Sequence, residues 1–257
     1  MTRVTVVLLV VMALCASSAA NASAEAPEFG RCVKMTGGSY GNSHCTASAS
    51  GGKTYEWEPG PGAHAGFTLH ARDLELTLRS NERQFCNPVD ATGEITGPKT
   101  VGDVVFTMRC EEASDECEEV VTAPMRGELG VYAVGATPAQ NRIGLKLEAE
   151  TGAGWAEFDC RFAFPPNPFV WTGGFVIGQL KTNRMATSQA FTFKAKHIRN
   201  KGAVEQQPMN FVGGEPDQPE GTNANARFGG EKVQEKLGWT MRSKLFTEEA
   251  IEESSVL

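Results

Sequence analysis

The chain has 257 residues, with 24 basic and 31 acidic side chains, a net charge of −7 and 40% hydrophobic residues. This length supports one sizeable core, and all-β domains of this size often fold as a single unit. The acidic balance and the lack of a basic block exclude an electrostatic grip on nucleic acid or anionic lipid, which needs clustered Lys and Arg.

Residues 1–24 read as an export signal. Arg3 gives a positive start, Val4 to Ala16 is nearly all apolar, and Ala20-Asn21-Ala22 and Ala22-Ser23-Ala24 both fit an A-x-A cleavage pattern. The apolar run is shorter than the roughly 20 residues needed to cross a bilayer. Leu14 precedes Cys15 where a lipoprotein signal needs a small residue. No later stretch is apolar enough to span a membrane, so the expectation is a secreted or cell-surface protein without a membrane span in its mature chain. Loss of Arg3 with the leader moves the net charge to −8.

Residues 25–62 form a Gly-rich N-terminal arm carrying Cys32 and Cys45, and the stretch 36–66 has little periodicity. Residues 63–257 are expected to form a β domain, in which period-two alternation dominates after residue 70. Leu74, Leu76 and Leu78 alternate with Asp73, Glu75, Thr77 and Arg79, and Val104, Phe106, Met108 and Cys110 alternate with Val105, Thr107 and Arg109. Ile143/Leu145/Leu147, Ala156/Phe158/Cys160/Phe162/Phe164 and Phe191/Phe193/Ala195 repeat the pattern. Alternate side chains of a strand point to opposite faces, so each run has one apolar and one wet face. Turn clusters such as Asn87-Pro88, Gly97-Pro98 and Pro165-Pro166-Asn167-Pro168 separate the runs. The predicted fold is all-β, an antiparallel sandwich or barrel-like domain with a disulfide-stapled arm. Leu237, Trp239 and Met241 suggest a late strand, 213–230 reads as a surface loop, and 247–253 suits a short helical turn capped by Thr247.

The chain has seven cysteines, of which Cys15 lies in the leader and six lie beyond it. An even cysteine count behind an export signal predicts a disulfide framework, although six cysteines allow fifteen connectivities. Proximity suggests Cys32–Cys45 and Cys110–Cys117, which leaves Cys86–Cys160.

The segments PEFGRC (27–32), YGNSHC (40–45) and YEWEPG (55–60) resemble the opening of an uncharacterised family of secreted actinobacterial proteins. The resemblance continues through ATGEITGPKTVGDVVF (91–106), Cys110…Cys117, IGLKLE (143–148), FDC (158–160) and VIG (176–178). It implies an extracellular location and bridges at 32–45 and 110–117. It supplies no catalytic residues.

Motifs for chemistry fail on context. Ala47 to Thr54 ends in GGKT but lacks the first glycine of a phosphate-binding loop and the strand-then-helix setting. Gly60, Gly62 and Ala65 match a dinucleotide fingerprint only loosely, with Pro59 and Pro61 interrupting it. His44, His64, His70 and His197 form no metal-like pair. The acidic run Glu111, Glu112, Asp115, Glu116, Glu118 and Glu119 lacks a calcium-loop pattern and reads as a solvated hairpin tip. No catalytic, cofactor or metal residue is therefore assigned, and no cofactor is expected. Of the four tryptophans, Trp155 and Trp239 lie in periodic strands and are expected in the core. Trp57 and Trp171 stand near Gly/Pro-rich turns and are candidates for stacking on a ligand such as a glycan. The leading expectation is a non-catalytic extracellular or cell-surface binding module. The alternatives are a secreted polysaccharide hydrolase using paired carboxylates or a passive cell-envelope component.

Overall fold

The computed structural model describes residues 27–254 apart from 46, 48–53, 79–82, 113–114, 138–139, 152–153, 161–166, 172–173, 182–184, 199–202, 209–210, 212–219 and 225–231. The export signal and most of the GGKT segment thus lie outside the described residues. The strands are β1 (Glu28–Lys34), β2 (Tyr55–Pro59), β3 (Gly66–Leu78), β4 (Arg83–Ile95), β5 (Thr100–Glu112), β6 (Asp115–Val121), β7 (Met125–Ala133) and β8 (Arg142–Ala149). They continue with β9 (Ala156–Cys160), β10 (Asn167–Trp171), β11 (Phe175–Leu180), β12 (Ala186–Ile198), β13 (Ala203–Gln207), β14 (Glu220–Ala224) and β15 (Lys232–Ser254). No α-helix occurs among the described residues. The 247–253 segment is not a helical turn but part of β15, and 220–224 within the expected 213–230 loop is strand β14.

The predicted all-β fold is a closed eight-stranded antiparallel barrel, in the order β3–β4–β5–β7–β8–β11–β12–β15, with β15 returning to β3. Spatial order follows chain order, as hairpin-connected neighbours dictate. Four staves, β3, β4, β5 and β15, are long and continuous. The opposite wall is made of broken staves. The early part of β5 pairs with β7 and its later part with β6. Likewise β8 lies against β7 and β11, while β9 pairs with β6 and β10. Strand β14 fills the place beside β15 that β12 vacates when it turns to pair with β13.

The alternation seen in the sequence becomes an inside and an outside. Leu74, Leu76, Val104, Phe106, Met108, Cys110, Leu145, Leu147, Phe191 and Phe193 are all buried, as are Trp155 and Trp239. Thr68, His70, Asp90, Glu94, Arg126, Glu128, Arg242 and Lys244 face out and are exposed. A barrel set in lipid carries the reverse pattern, with an apolar outer band. No helix among the described residues is long and apolar enough to cross a membrane.

Aromatic rings fill the interior where the staves break. Trp239 meets Trp155, Phe193 and Phe106 edge-on, with ring centroids 4.9, 5.3 and 5.7 Å apart. Each break is closed by substitute hydrogen bonds, because a buried backbone group without a partner costs about 1–3 kcal/mol. Between β6 and β7, Thr122 Oγ1 accepts the Phe106 N–H and the Thr122 N–H donates to the Phe106 carbonyl, both at 2.9 Å. Between β8 and β9, the Trp155 carbonyl accepts the Ala123 N–H at 2.8 Å. Between β12 and β14, the buried Gln206 amide acts as a missing strand residue. Its Nε2 donates to the Trp239 carbonyl at 3.2 Å and its Oε1 accepts the Trp239 N–H at 2.5 Å.

The arm is β1 paired with β2, and Cys32–Cys45 staples it as expected. It is continuous with the barrel sheet, since β1 also pairs with the end of β15 and Phe29 lies in the main core. The other expected bridges are corrected. Cys86 bonds to Cys110, not to Cys160, and Cys110 therefore does not bond to Cys117. The cause is register. Cys86 and Cys110 are direct partners on β4 and β5, both fully buried, whereas the β5–β6 ladder is bulged beside Cys110. Chain proximity was the wrong guide, because Cys110 has a closer partner across the preceding hairpin.

Cys117 and Cys160 are left as direct cross-strand partners on β6 and β9. Opposed Cα atoms in an antiparallel pair stand about 4.5–5.5 Å apart, within the span of a disulfide. Non-reducing peptide mapping is expected to recover a Cys117–Cys160 linkage beside the two already described, and no Cys86–Cys160 peptide. Replacing Gln206 by Leu strips both partners from the Trp239 backbone. It is expected to lower stability by about 2–4 kcal/mol, read as a fall in the urea midpoint at constant slope.

Candidate functional site

A barrel can offer its interior or its wall. The interior here is packed with Trp155, Trp239, Phe106 and Phe193, so attention passes to the wall. A groove of about 1000 Å³ crosses the outer faces of β12, β15 and β3 and reaches β4.

The groove follows from the alternation that built the core. With Trp239, Met241 and Leu245 turned inward, Thr240, Arg242, Lys244 and Phe246 turn outward from β15. On β3, Ala71 and Leu74 both point inward, which leaves Arg72 and Asp73 together outside the ladder. The same irregularity sits opposite Arg242 on β15 and opposite Asn87-Pro88, a cis peptide, on β4. Bulges of this kind re-aim side chains and recur beside functional sites. Lys181, just past β11, completes the lining.

Four cations, Arg72, Lys181, Arg242 and Lys244, thus share one groove with two carboxylates, Asp73 and Glu75. None of the four cations forms an ion pair with a described residue. At the ends stand two phenyl rings open to solvent, Phe85 at 50% and Phe246 at 39% exposure. Phe85 lies on the rung of Glu75 and Thr240. Six residues of β15 separate that rung from Phe246, so the rings are about 20 Å apart at 3.3 Å per residue. His70 sits beside Phe246, with ring centroids 5.8 Å apart, and its Nδ1 is 2.5 Å from Asp90 Oδ1.

The tryptophans divide as follows. Trp155 and Trp239 are core residues at 1% and 0% exposure. Trp57 is half-buried in β2, and its indole N–H donates to Glu28 Oε1 at 2.9 Å. Its ring lies across Gly30, where any side chain would collide with it. That face is already occupied in holding the arm together. Trp171 stands in β10 opposite Ala156, and its side chain lies outside those described.

A second groove, on β5, β7 and β8, is rich in acids, among them Asp103, Glu128, Glu148 and Glu150. Glu148 is held by Arg126 at 2.9 Å and lies 3.9 Å from Lys146, while Glu150 accepts the Asp103 N–H at 3.3 Å. No group of His, Cys, Asp and Glu suited to a metal occurs among the described residues. The acidic segment 111–119 spans the β5–β6 turn, with Glu112 opposite Asp115, so the hairpin reading fits.

Comparison with protein-family models, with curated proteins and with solved structures returned no match.

Sequence reasoning missed Phe85 and Phe246. The signal lay in the wet face of a strand already identified: an aromatic at an outward position, in step with Arg242 and Lys244. For Trp57 the expected outcome is structural. Gly30→Val should expel the indole from its seat and lower stability by about 1–3 kcal/mol, measured by urea denaturation.

Proposed function

We propose that this protein is a non-catalytic extracellular binding module that holds a surface ligand in the β12–β15–β3 groove. One observation carries the reading: two solvent-open phenyl rings bracket a row of cations without ion-pair partners among the described residues, on the outer wall of the barrel. Large apolar side chains on a monomer's surface are normally scattered. Here two of them frame one concavity, together with groups that can orient a polar ligand.

Export through the 1–24 leader belongs to this proposal. The Cys32–Cys45 and Cys86–Cys110 bridges are consistent with an oxidising environment, where disulfides persist. Membership of the secreted family that the opening segments resemble also stands as a proposal. The hydrolase alternative draws less support, because Glu148 and Glu150 in the acidic groove are engaged by Arg126 and by the Asp103 backbone.

The test is retention of the purified chain on insoluble cell-wall and polysaccharide fractions. The intact chain should be retained. Phe85→Ala and Phe246→Ala should each weaken retention about tenfold, the scale of one lost aromatic contact, without moving the melting temperature. Retention unchanged in the double variant would remove the groove from the function.

A further inference from the structure

The groove is specific enough to name a ligand class, and this step rests on the binding reading above. Three features restrict what can lie there. The first is charge: Arg72, Lys181, Arg242 and Lys244 outnumber Asp73 and Glu75 in a chain whose overall charge is −7. Uncommitted cations on an acidic protein form a local positive field, which selects an anion. The second is shape. The phenyl rings are about 20 Å apart along β15, with Arg242 and Lys244 between them, so the apolar area is divided between two ends. An acyl chain needs a continuous apolar track, and the middle of this groove is charged. The ligand must be extended, anionic along its length, and able to present apolar faces at intervals.

The third feature is the pair of acids. Asp73 and Glu75 would repel the phosphates of a nucleic-acid strand, which brings few hydroxyl donors to offset that repulsion. A carboxylate is also an acceptor of hydrogen bonds and rewards a ligand rich in hydroxyl donors. A polymer with many hydroxyls, carboxylates along its length and apolar ring faces satisfies all three conditions. We infer that the β12–β15–β3 groove binds an acidic polysaccharide, with Arg72, Lys181, Arg242 and Lys244 on its carboxylates, Asp73 on its hydroxyls, and Phe85 and Phe246 stacked on sugar rings near its ends.

The experiment titrates the full chain by calorimetry with polygalacturonate and alginate, with fully methyl-esterified polygalacturonate, and with a single-stranded oligonucleotide. At least one free-acid glycan should bind at least tenfold more tightly than the ester, and binding should fall steeply between 50 and 500 mM salt, probe conditions set by charge screening. The oligonucleotide should bind more weakly than that glycan. The double variant Arg242→Ser/Lys244→Ser, changed only at outward positions, should keep its melting temperature and lose at least tenfold in affinity for the acid, with a smaller loss for the ester. Equal binding of acid and ester, lost in Phe85→Ala/Phe246→Ala, would overturn the acidic ligand and leave the binding groove standing. Stronger binding of the oligonucleotide would overturn it likewise. If no glycan binds, and retention on cell-wall fractions ignores the phenylalanine substitutions, the binding reading falls together with the ligand.

Discussion

The architecture depends on closing a barrel whose wall is half made of interrupted strands. A continuous stave satisfies its backbone by pairing on both sides, but each interruption leaves polar groups facing a gap. Gln206 meets the hardest case. At Trp239, β12 has already turned away and β14 has not yet arrived, so β15 has no neighbour on that side. One side-chain amide carries both a donor and an acceptor, the same pair that a strand residue would offer. Thr122 solves the equivalent problem beside Phe106 with a single hydroxyl and its own backbone. The two repaired residues are ring partners in the interior, so wall closure and core packing support each other.

Large aromatic side chains occupy the middle of the barrel. Eight-stranded barrels sit at the size where side chains can fill the lumen or leave room for one small ligand. Trp155 and Trp239 take up that space here. The outer wall is then shaped by a local departure from regular pairing, the Arg72-Asp73 bulge opposite Arg242. The concavity beside it is flanked by long polar side chains from β3 and β15 and by Lys181 just past β11. The arm does not compete for this role: Trp57 spends its hydrogen bond on Glu28 and its face on Gly30.

Much of the barrel was legible because period-two alternation survives closure. The inward sets 104/106/108/110 and 143/145/147 are buried in full. The short strands β2 and β14 were not legible, since they lie in Gly- and Asn-rich segments and owe their pairing to β1 and β15 rather than to their own pattern. The 247–253 end failed for the same reason: an acidic stretch that suits a helix is held extended by β1 and by the run of β15 itself. The cysteine pairing failed at Cys86, whose partner is set by a register that depends on where the β4–β5 hairpin turns. The candidate site was hidden for a different reason. Reading a strand for its core half discards its wet half, where Arg242, Lys244 and Phe246 stand in sequence.

The last strand touches more of the molecule than any other, pairing with β1, β3, β12 and β14. Every earlier hairpin can zip up from local contacts, but the ring itself cannot shut until the final segment is present. A polypeptide crossing a membrane N-terminus first would therefore remain an open ribbon, with two raw sheet edges, almost to the end of its passage. Such a topology defers closure, and with it rigidity, until the last strand arrives.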